Sequence, residues 1–199
     1  MGSQQDTAAT SMDSPLHTLR VTELDHVDAA RRFRTLADLP WPVWLDSAAD
    51  PTGKGRFDVL AADPYLTLRA RGASTEVVTR DGVASTSSRS PLALLREFLG
   101  PTITGAAGLP FCGGAIGYVG YDFGRRCESV PTLATADIDM PDVAMGLYDW
   151  AVVIDHAERR SWLVGGLRDE RTHAQWSALI QRLGGKPTIR LAEAMTPQL

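Results

Sequence analysis

The sequence is short of the features that mark several large function classes. It has two cysteines, Cys112 and Cys127, too few for a disulfide framework and in the wrong pattern for a zinc site, so a reducing cytoplasm is the expected setting. No run approaches the roughly 20 apolar residues of a membrane span, and the polar start Met1 to Ser14 lacks the apolar core of a secretory signal. A myristoylation signal fails at Asp6, where Ser or Thr is needed. Charge of one sign is scarce too: 24 acidic and 20 basic residues leave a formal net charge of -4. That balance offers no basic face for nucleic acid or anionic lipid. The four histidines, His17, His26, His156 and His173, are scattered without the H-x-x-x-H spacing of a metal helix, and read as surface residues. There is no G-x-S-x-G elbow, and neither cysteine has a neighbouring histidine in sequence. No repeat or low-complexity tract suggests an array.

What is present is a chain of 199 residues, 44% of them apolar, long enough to bury the core of one large domain. Residues 1–14 read as a disordered tail. Val27, Ala30, Phe33 and Leu36 recur at helical spacing and predict a short amphipathic helix ending before Pro40. Trp41 to Ser47, Arg56 to Ala61, Tyr65 to Arg71 and Thr75 to Thr79 are short aromatic or β-branched runs punctuated by Gly and Pro, the pattern of consecutive antiparallel strands. Ser90-Pro91 offers an N-cap and a first-turn proline for a helix with Leu92, Leu95, Phe98 and Leu99 on its buried stripe, stopped at Gly100. Strand character returns over Gly113 to Gly120 and over Ala144 to Asp155, and Ser161 to Val164 closes a hairpin across His156 to Arg160. Asp169 to Leu183 carries Trp176, Leu179, Ile180 and Leu183 at helical spacing before Gly184-Gly185. Runs of strands with helices between and after them predict an α+β fold, largely antiparallel sheet with flanking helices.

The chemistry-bearing candidates are few. Gly113, Gly114, Gly117 and Gly120 lack the spacing of a dinucleotide fingerprint and no Lys follows as in a P-loop, so close backbone packing explains them better than phosphate. Asp137, Asp139 and Asp142 lack the spacing, central glycine and closing Glu of a calcium loop, and read as a solvated acidic loop. Arg125-Arg126 either hold an anion or a partner's carboxylate in bidentate fashion or solvate a turn. No acid, base or metal constellation emerges, so no catalytic residue and no metal ligand is assigned.

Several linked motifs carry a resemblance. They are Leu39-Pro40-Trp41 to Leu45-Asp46-Ser47, Gly55-Arg56-Phe57-Asp58 with Ala62-Asp63-Pro64, and Leu109-Pro110-Phe111 to Gly113-Gly114. The longest is Gly117-Tyr118-Val119-Gly120-Tyr121-Asp122-Phe123-Gly124-Arg125-Arg126 with Glu128, followed by Met140-Pro141-Asp142 and Tyr148-Asp149-Trp150-Ala151. Over roughly residues 35 to 165 the chain resembles the amino-terminal domain of the chorismate-binding component I family. Its aminodeoxychorismate synthase branch looks closer than the sister anthranilate synthases.

The resemblance implies an intact enzyme that takes chorismate and ammonia, the ammonia delivered by a glutamine amidotransferase subunit, and uses magnesium to make a precursor of p-aminobenzoate for folate. In the family those groups belong to a carboxy-terminal domain, and this sequence stops at Leu199, where that domain would be starting. Residues 15–185 are then the regulatory or scaffold domain and 186–199 a linker, with no catalytic role inherited. The family resemblance also implies an amino-acid pocket that takes tryptophan. Leu45, Asp46 and Ser47 match its strand motif, and Arg56 and Phe57 its second motif. Leu45 and Phe57 would wall an indole while Asp46, Ser47 and Arg56 meet its ammonium and carboxylate; the alternative is that all five are sheet residues beside a loop. Arg125 and Arg126 are then candidates for interdomain or partner contact, and an exposed interdomain surface predicts a homodimer.

Overall fold

A computed structural model describes residues 19–48, 55–100, 108–126, 138–184 and 189–191. The predicted tail, residues 1–14, lies outside them. In chain order the elements are β1 (Arg20–Leu24), α1 (Ala29–Arg34), β2 (Val43–Leu45), β3 (Phe57–Ala61), β4 (Leu66–Arg71), β5 (Ser74–Thr79), β6 (Ala84–Ser87) and α2 (Pro91–Leu99). Then follow β7 (Gly114–Val119), a 3-10 turn (Tyr121–Arg126), β8 (Val143–Tyr148), β9 (Trp150–Asp155), β10 (Arg160–Gly165), α3 (Glu170–Arg182) and β11 (Ile189–Leu191). The strands form a six-stranded sheet ordered β11-β1-β10-β9-β3-β2 and a five-stranded sheet ordered β6-β5-β4-β8-β7. Every pairing is antiparallel, so the predicted α+β class holds.

Burial follows the alternation of strand residues between faces. On one face of the six-stranded sheet, Leu60, Trp150, Val152, Ile154 and Leu163 pack with Leu36 after α1 and with Trp176, Leu179 and Ile180 of α3. Alternate residues of β4, Leu66, Leu68 and Ala70, pack with Val143, Leu147 and Leu94 of α2. A third cluster, Val59, Ala61, Ile116, Tyr148 and Ala151, joins the two sheets. Asp28 caps α1 by accepting from the Arg31 amide (3.1 Å), and Asp169 caps α3 by accepting from the Arg171 amide (2.9 Å). Ser90 stands at the N-cap of α2 but its side chain makes no cap bond; the helix start rests on Pro91.

The run Ala144 to Asp155, expected as one strand, is two strands in two sheets. It breaks at Asp149, the single residue between β8 and β9. No Gly or Pro signals the break because both halves are buried on both faces and read as one apolar stretch. Asp149, 1% exposed, makes it: its carboxylate accepts from the backbone amides of Arg168 (2.8 Å) and Asp169 (3.0 Å). The sheet joint is thereby tied to the start of α3. Arg80, just past β5, reinforces it by donating to Asp169 Oδ2 (2.9 Å) and to the Asp63 carbonyl in the other sheet-to-sheet connection.

Three strands escaped prediction. β1 and β11 lack a periodic run, and β6 (Ala84–Ser87) is a polar edge without apolar alternation. Ile189–Leu191, within the segment read as a linker, pairs with β1; the rest of 186–199 lies outside the described residues. The glycine pattern does serve close packing. A Cβ on Gly117 would stand 2.0 Å from the Ala144 carbonyl oxygen, so β7 sits against β8 only with hydrogen at that position.

Candidate functional site

The five residues singled out for an amino-acid pocket gather where β2 and β9 end and β3 begins, but the sheet divides them between its faces. Register pairs Leu45 with Val59, so Leu45, Val59 and Phe57 share one face and Trp44 and Asp58 the other. Leu45 is 49% exposed. Phe57 packs beside Cys112, Val153 and Val164. Asp46 turns its carboxylate back onto the Ala48 amide (2.7 Å), closing a turn in which Ala48 adopts φ 60°.

The other face is organised by Asp58, which sequence reasoning did not select. Asp58 is 1% exposed. It accepts from the Ser47 amide (2.9 Å), the Ser47 hydroxyl (3.0 Å) and the Trp44 indole N–H (3.0 Å). His156 Nε2 stands 3.1 Å from Asp58 Oδ1 at ion-pair distance, with an angle too poor for a well-formed hydrogen bond. His156 is therefore not simply a surface histidine. Burial pushes the Asp58 carboxyl up, but the Ser47 amide, His156, Trp44 and the Ser47 hydroxyl together outweigh it and hold the group below the usual carboxylate range.

Arg56 is also engaged. Its Nε and Nη2 donate to Asp155 Oδ2 (3.0 and 2.7 Å) and Nη2 to Glu158 (3.0 Å), while the guanidinium lies 4.7 Å over the Phe57 ring. Asp155, 1% exposed, accepts further from the amides of Ala157 (2.9 Å) and Glu158 (3.1 Å). Burial raises its pKa, and Arg56 and these amides more than offset that, leaving it low. The signal that could have found both acids is their position: each is a carboxylate inside a run of buried strand residues, FDVLA and WAVVID, where a charge persists only with partners.

The sign of the pH effect follows. For Asp58 and Asp155 the folded pKa lies below the unfolded one, so their stabilisation is present above about pH 4 and is lost as pH falls through the folded pKa. Stability measured by urea at pH 7, 4 and 3 is expected to drop toward acid, and Asp58→Asn to drop less over the same interval while costing about 2 kcal/mol at pH 7. Equal acid slopes for both proteins would show that Asp58 does not carry the effect.

Of the remaining candidates, Arg125 and Arg126 lie in the 3-10 turn Tyr121–Arg126. Asp139 pairs with Arg71 and Asp142 accepts from the Gly72 amide (2.9 Å), so these acids hold the β4–β5 turn; Asp137 and Cys127 lie outside the described residues. Cys112 is buried, and His26 Nδ1 stands 3.4 Å from the Ser161 hydroxyl. Among the described residues no group of three or more His, Cys, Asp or Glu is placed to hold a metal ion. The buried carboxylates Asp58, Asp149 and Asp155 are spent on N–H donors, so these residues do not fit a magnesium ion. Chemically, the contacts of Asp58 and Asp155 fix loops and strand ends; the carboxylate and imidazole that stand together, Asp58 and His156, sit among those same structural contacts.

Comparison with known proteins agrees with this architecture. The model of the chorismate binding enzyme family matches residues 43–197. Aminodeoxychorismate synthase component 1 of Escherichia coli (strain K12) is 39% identical over 160 residues, covering 72% of this chain and 35% of the relative. The Salmonella typhimurium protein of the same name is 38% identical over 171 residues, covering 84% of this chain and 37% of the relative. Among solved structures, anthranilate synthase component I from Streptococcus pneumoniae TIGR4 superposes with a TM-score of 0.55 at 29% identity, over 64% of this chain and 28% of that one. The chain thus spans about a third of the length of the relatives it matches. On the match over residues 43–197 and on these identities, the chain belongs to the chorismate binding enzyme family.

Proposed function

We propose that this chain is the amino-terminal, scaffolding part of an aminodeoxychorismate synthase component 1. In that reading the whole enzyme, with a glutamine amidotransferase subunit supplying ammonia, converts chorismate to 4-amino-4-deoxychorismate for p-aminobenzoate and folate, in the cytoplasm. The observation that carries it is the identity of 38–39% to three proteins of that name along 72–84% of the chain, against 27% for anthranilate synthase alpha subunits. No helix among the described residues is long and apolar enough to cross a membrane. Magnesium and the groups that activate chorismate then belong to the two-thirds of the relatives that this chain does not match. The purified chain, given chorismate, ammonium and magnesium, is expected to form no aminated product; turnover would overturn the reading.

The same reading keeps an amino-acid effector pocket at the strand ends bearing Leu45, Asp46, Ser47, Arg56 and Phe57, with three refinements from the geometry. Leu45 and Phe57 lie on the sheet face opposite Asp58 and its Ser47 contacts, and so border the pocket rather than wall it. The Ser47 hydroxyl gives its proton to Asp58, so it presents lone pairs to a ligand's ammonium rather than a proton to its carboxylate. Arg56 stays with the Asp155 carboxylate and acts on Phe57 and the strand end, not on a ligand's carboxylate. In this reading Arg125 and Arg126 contact the partner or the catalytic domain, and pairing of two copies of the chain is a further expectation that light scattering at high concentration checks. Calorimetry with tryptophan tests the pocket: Ser47→Ala is expected to weaken any binding by the longer enzyme, and an unchanged affinity would remove Ser47 from the site.

A further inference from the structure

We infer that the polar face of the five-stranded sheet is a binding site for a small zwitterion, a molecule carrying both a carboxylate and an ammonium, and that this site is separate from the pocket near Ser47. The face lies opposite α2, since Leu66, Leu68 and Ala70 point to that helix and Arg69 and Arg71 away from it. Register places one row of directly opposed residues across all five strands: Thr86 faces Glu76, Glu76 faces Arg69, Arg69 faces Ala144, and Ala144 faces Tyr118. Reading along the row gives a hydroxyl, a carboxylate, a guanidinium, a gap floored by a methyl group, and a phenol. Trp41 and Pro141 rise beside it, and the groove so formed has a volume of about 660 Å³, within the range of small-molecule sites.

Two observations make this more than a concave surface. Arg69 and Glu76 are nearest cross-strand neighbours of opposite charge, yet among the described residues neither forms an ion pair with the other or with anything else. Arg69 instead lies 4.8 Å over the Trp41 ring. Trp41 itself is held in the left-handed region, φ 49°, between Pro40 and Pro42, with its carbonyl accepting from the Tyr148 hydroxyl (2.9 Å). A non-glycine residue in that conformation is strained, and such strain collects where a side chain must be presented. Here it presents the indole to Arg69 and the groove.

The charges select the ligand. A phosphate or a dicarboxylate would meet Glu76, and Arg71 does not offset that because it is spent on Asp139. A simple cation would meet Arg69. A zwitterion satisfies both, its carboxylate taking the guanidinium fork and its ammonium taking Glu76 and the Thr86 hydroxyl. An apolar side chain would then cover Ala144 between Trp41 and Tyr118.

The test follows amide shifts at Ala144 and Tyr118 while the chain is titrated with L-phenylalanine, 3-phenylpropionate and phenethylamine. Phenylalanine is expected to bind at least tenfold more tightly than either single-charge analogue, and Arg69→Gln or Glu76→Gln to weaken it at least tenfold with an unchanged melting temperature. Ser47→Ala is expected to leave this binding unchanged. Equal affinity for the three probes, or indifference to both charge variants, would overturn the proposal. Loss of binding in Ser47→Ala alone would overturn it too, since the ligand would then sit in the effector pocket. None of these outcomes depends on whether the longer enzyme aminates chorismate.

Discussion

Trp176→Ala is expected to destabilise the chain by about 4 kcal/mol, the middle of the range for emptying a buried tryptophan site. Trp176 is 1% exposed and joins α3 to the six-stranded sheet at three points. Its ring fills the space above Gly165, where a Cβ would come within 2.6 Å of it. Its indole N–H donates to the Thr22 hydroxyl (3.1 Å), which is itself fully buried, and the Arg20 guanidinium lies 5.2 Å from the ring. Alanine leaves a cavity with a polar lining and strands the Thr22 hydroxyl. Phenylalanine keeps much of the volume and loses the donor, so Trp176→Phe is expected to cost about half as much. Urea midpoints give both values; a loss below about 1 kcal/mol for alanine would mean that α3 is not held through this residue.

Asp149→Ala is the next largest, expected at about 3 kcal/mol, because it removes a buried carboxylate and leaves the partly buried amides of Arg168 and Asp169 without acceptors at the point where the chain changes sheets. Its pH dependence runs opposite to that of Asp58 and Asp155. Burial raises the Asp149 pKa and the amides of Asp169 and Arg168 offset this only in part, so the folded pKa lies above the unfolded one. Its contribution is therefore fully present below about pH 4 and declines as pH rises through the folded pKa. The difference between wild type and Asp149→Ala is expected to widen from pH 7 to pH 4. A gap that narrows over that interval would contradict the assignment.

Much of the architecture was legible in the sequence because helices and half-buried strands advertise their period. Trp176, Leu179, Ile180 and Leu183 mark α3, and the alternation of Leu66, Leu68 and Ala70 marks β4. What escaped has physical causes. β8 and β9 are buried throughout, so nothing in their pattern separates them; only Asp149, an acid in an apolar run, shows the joint, and its meaning lies in two amides some 20 residues on. Edge strand β6 buries too little to need a pattern.

At the candidate site the motif residues were legible and their partners were not. Ser47 and Arg56 stood out as matched positions, while Asp58 and Asp155, which fix them, are set by cross-strand register. Past the end of β2 the chain turns Ser47 to Asp58, on the face opposite Leu45 and Phe57, a division that spacing alone does not reveal. The row through Arg69 and Glu76 joins residues of five strands and has no local signature.

The proposed function makes this chain the interchangeable amino-terminal frame of a chorismate-aminating enzyme. A chimera of the Escherichia coli relative, with its matching third replaced by this chain, tests it most directly by formation of 4-amino-4-deoxychorismate from chorismate and ammonium. The account expects product from the chimera. A chimera that folds to the native helix and strand content yet forms no product would contradict it.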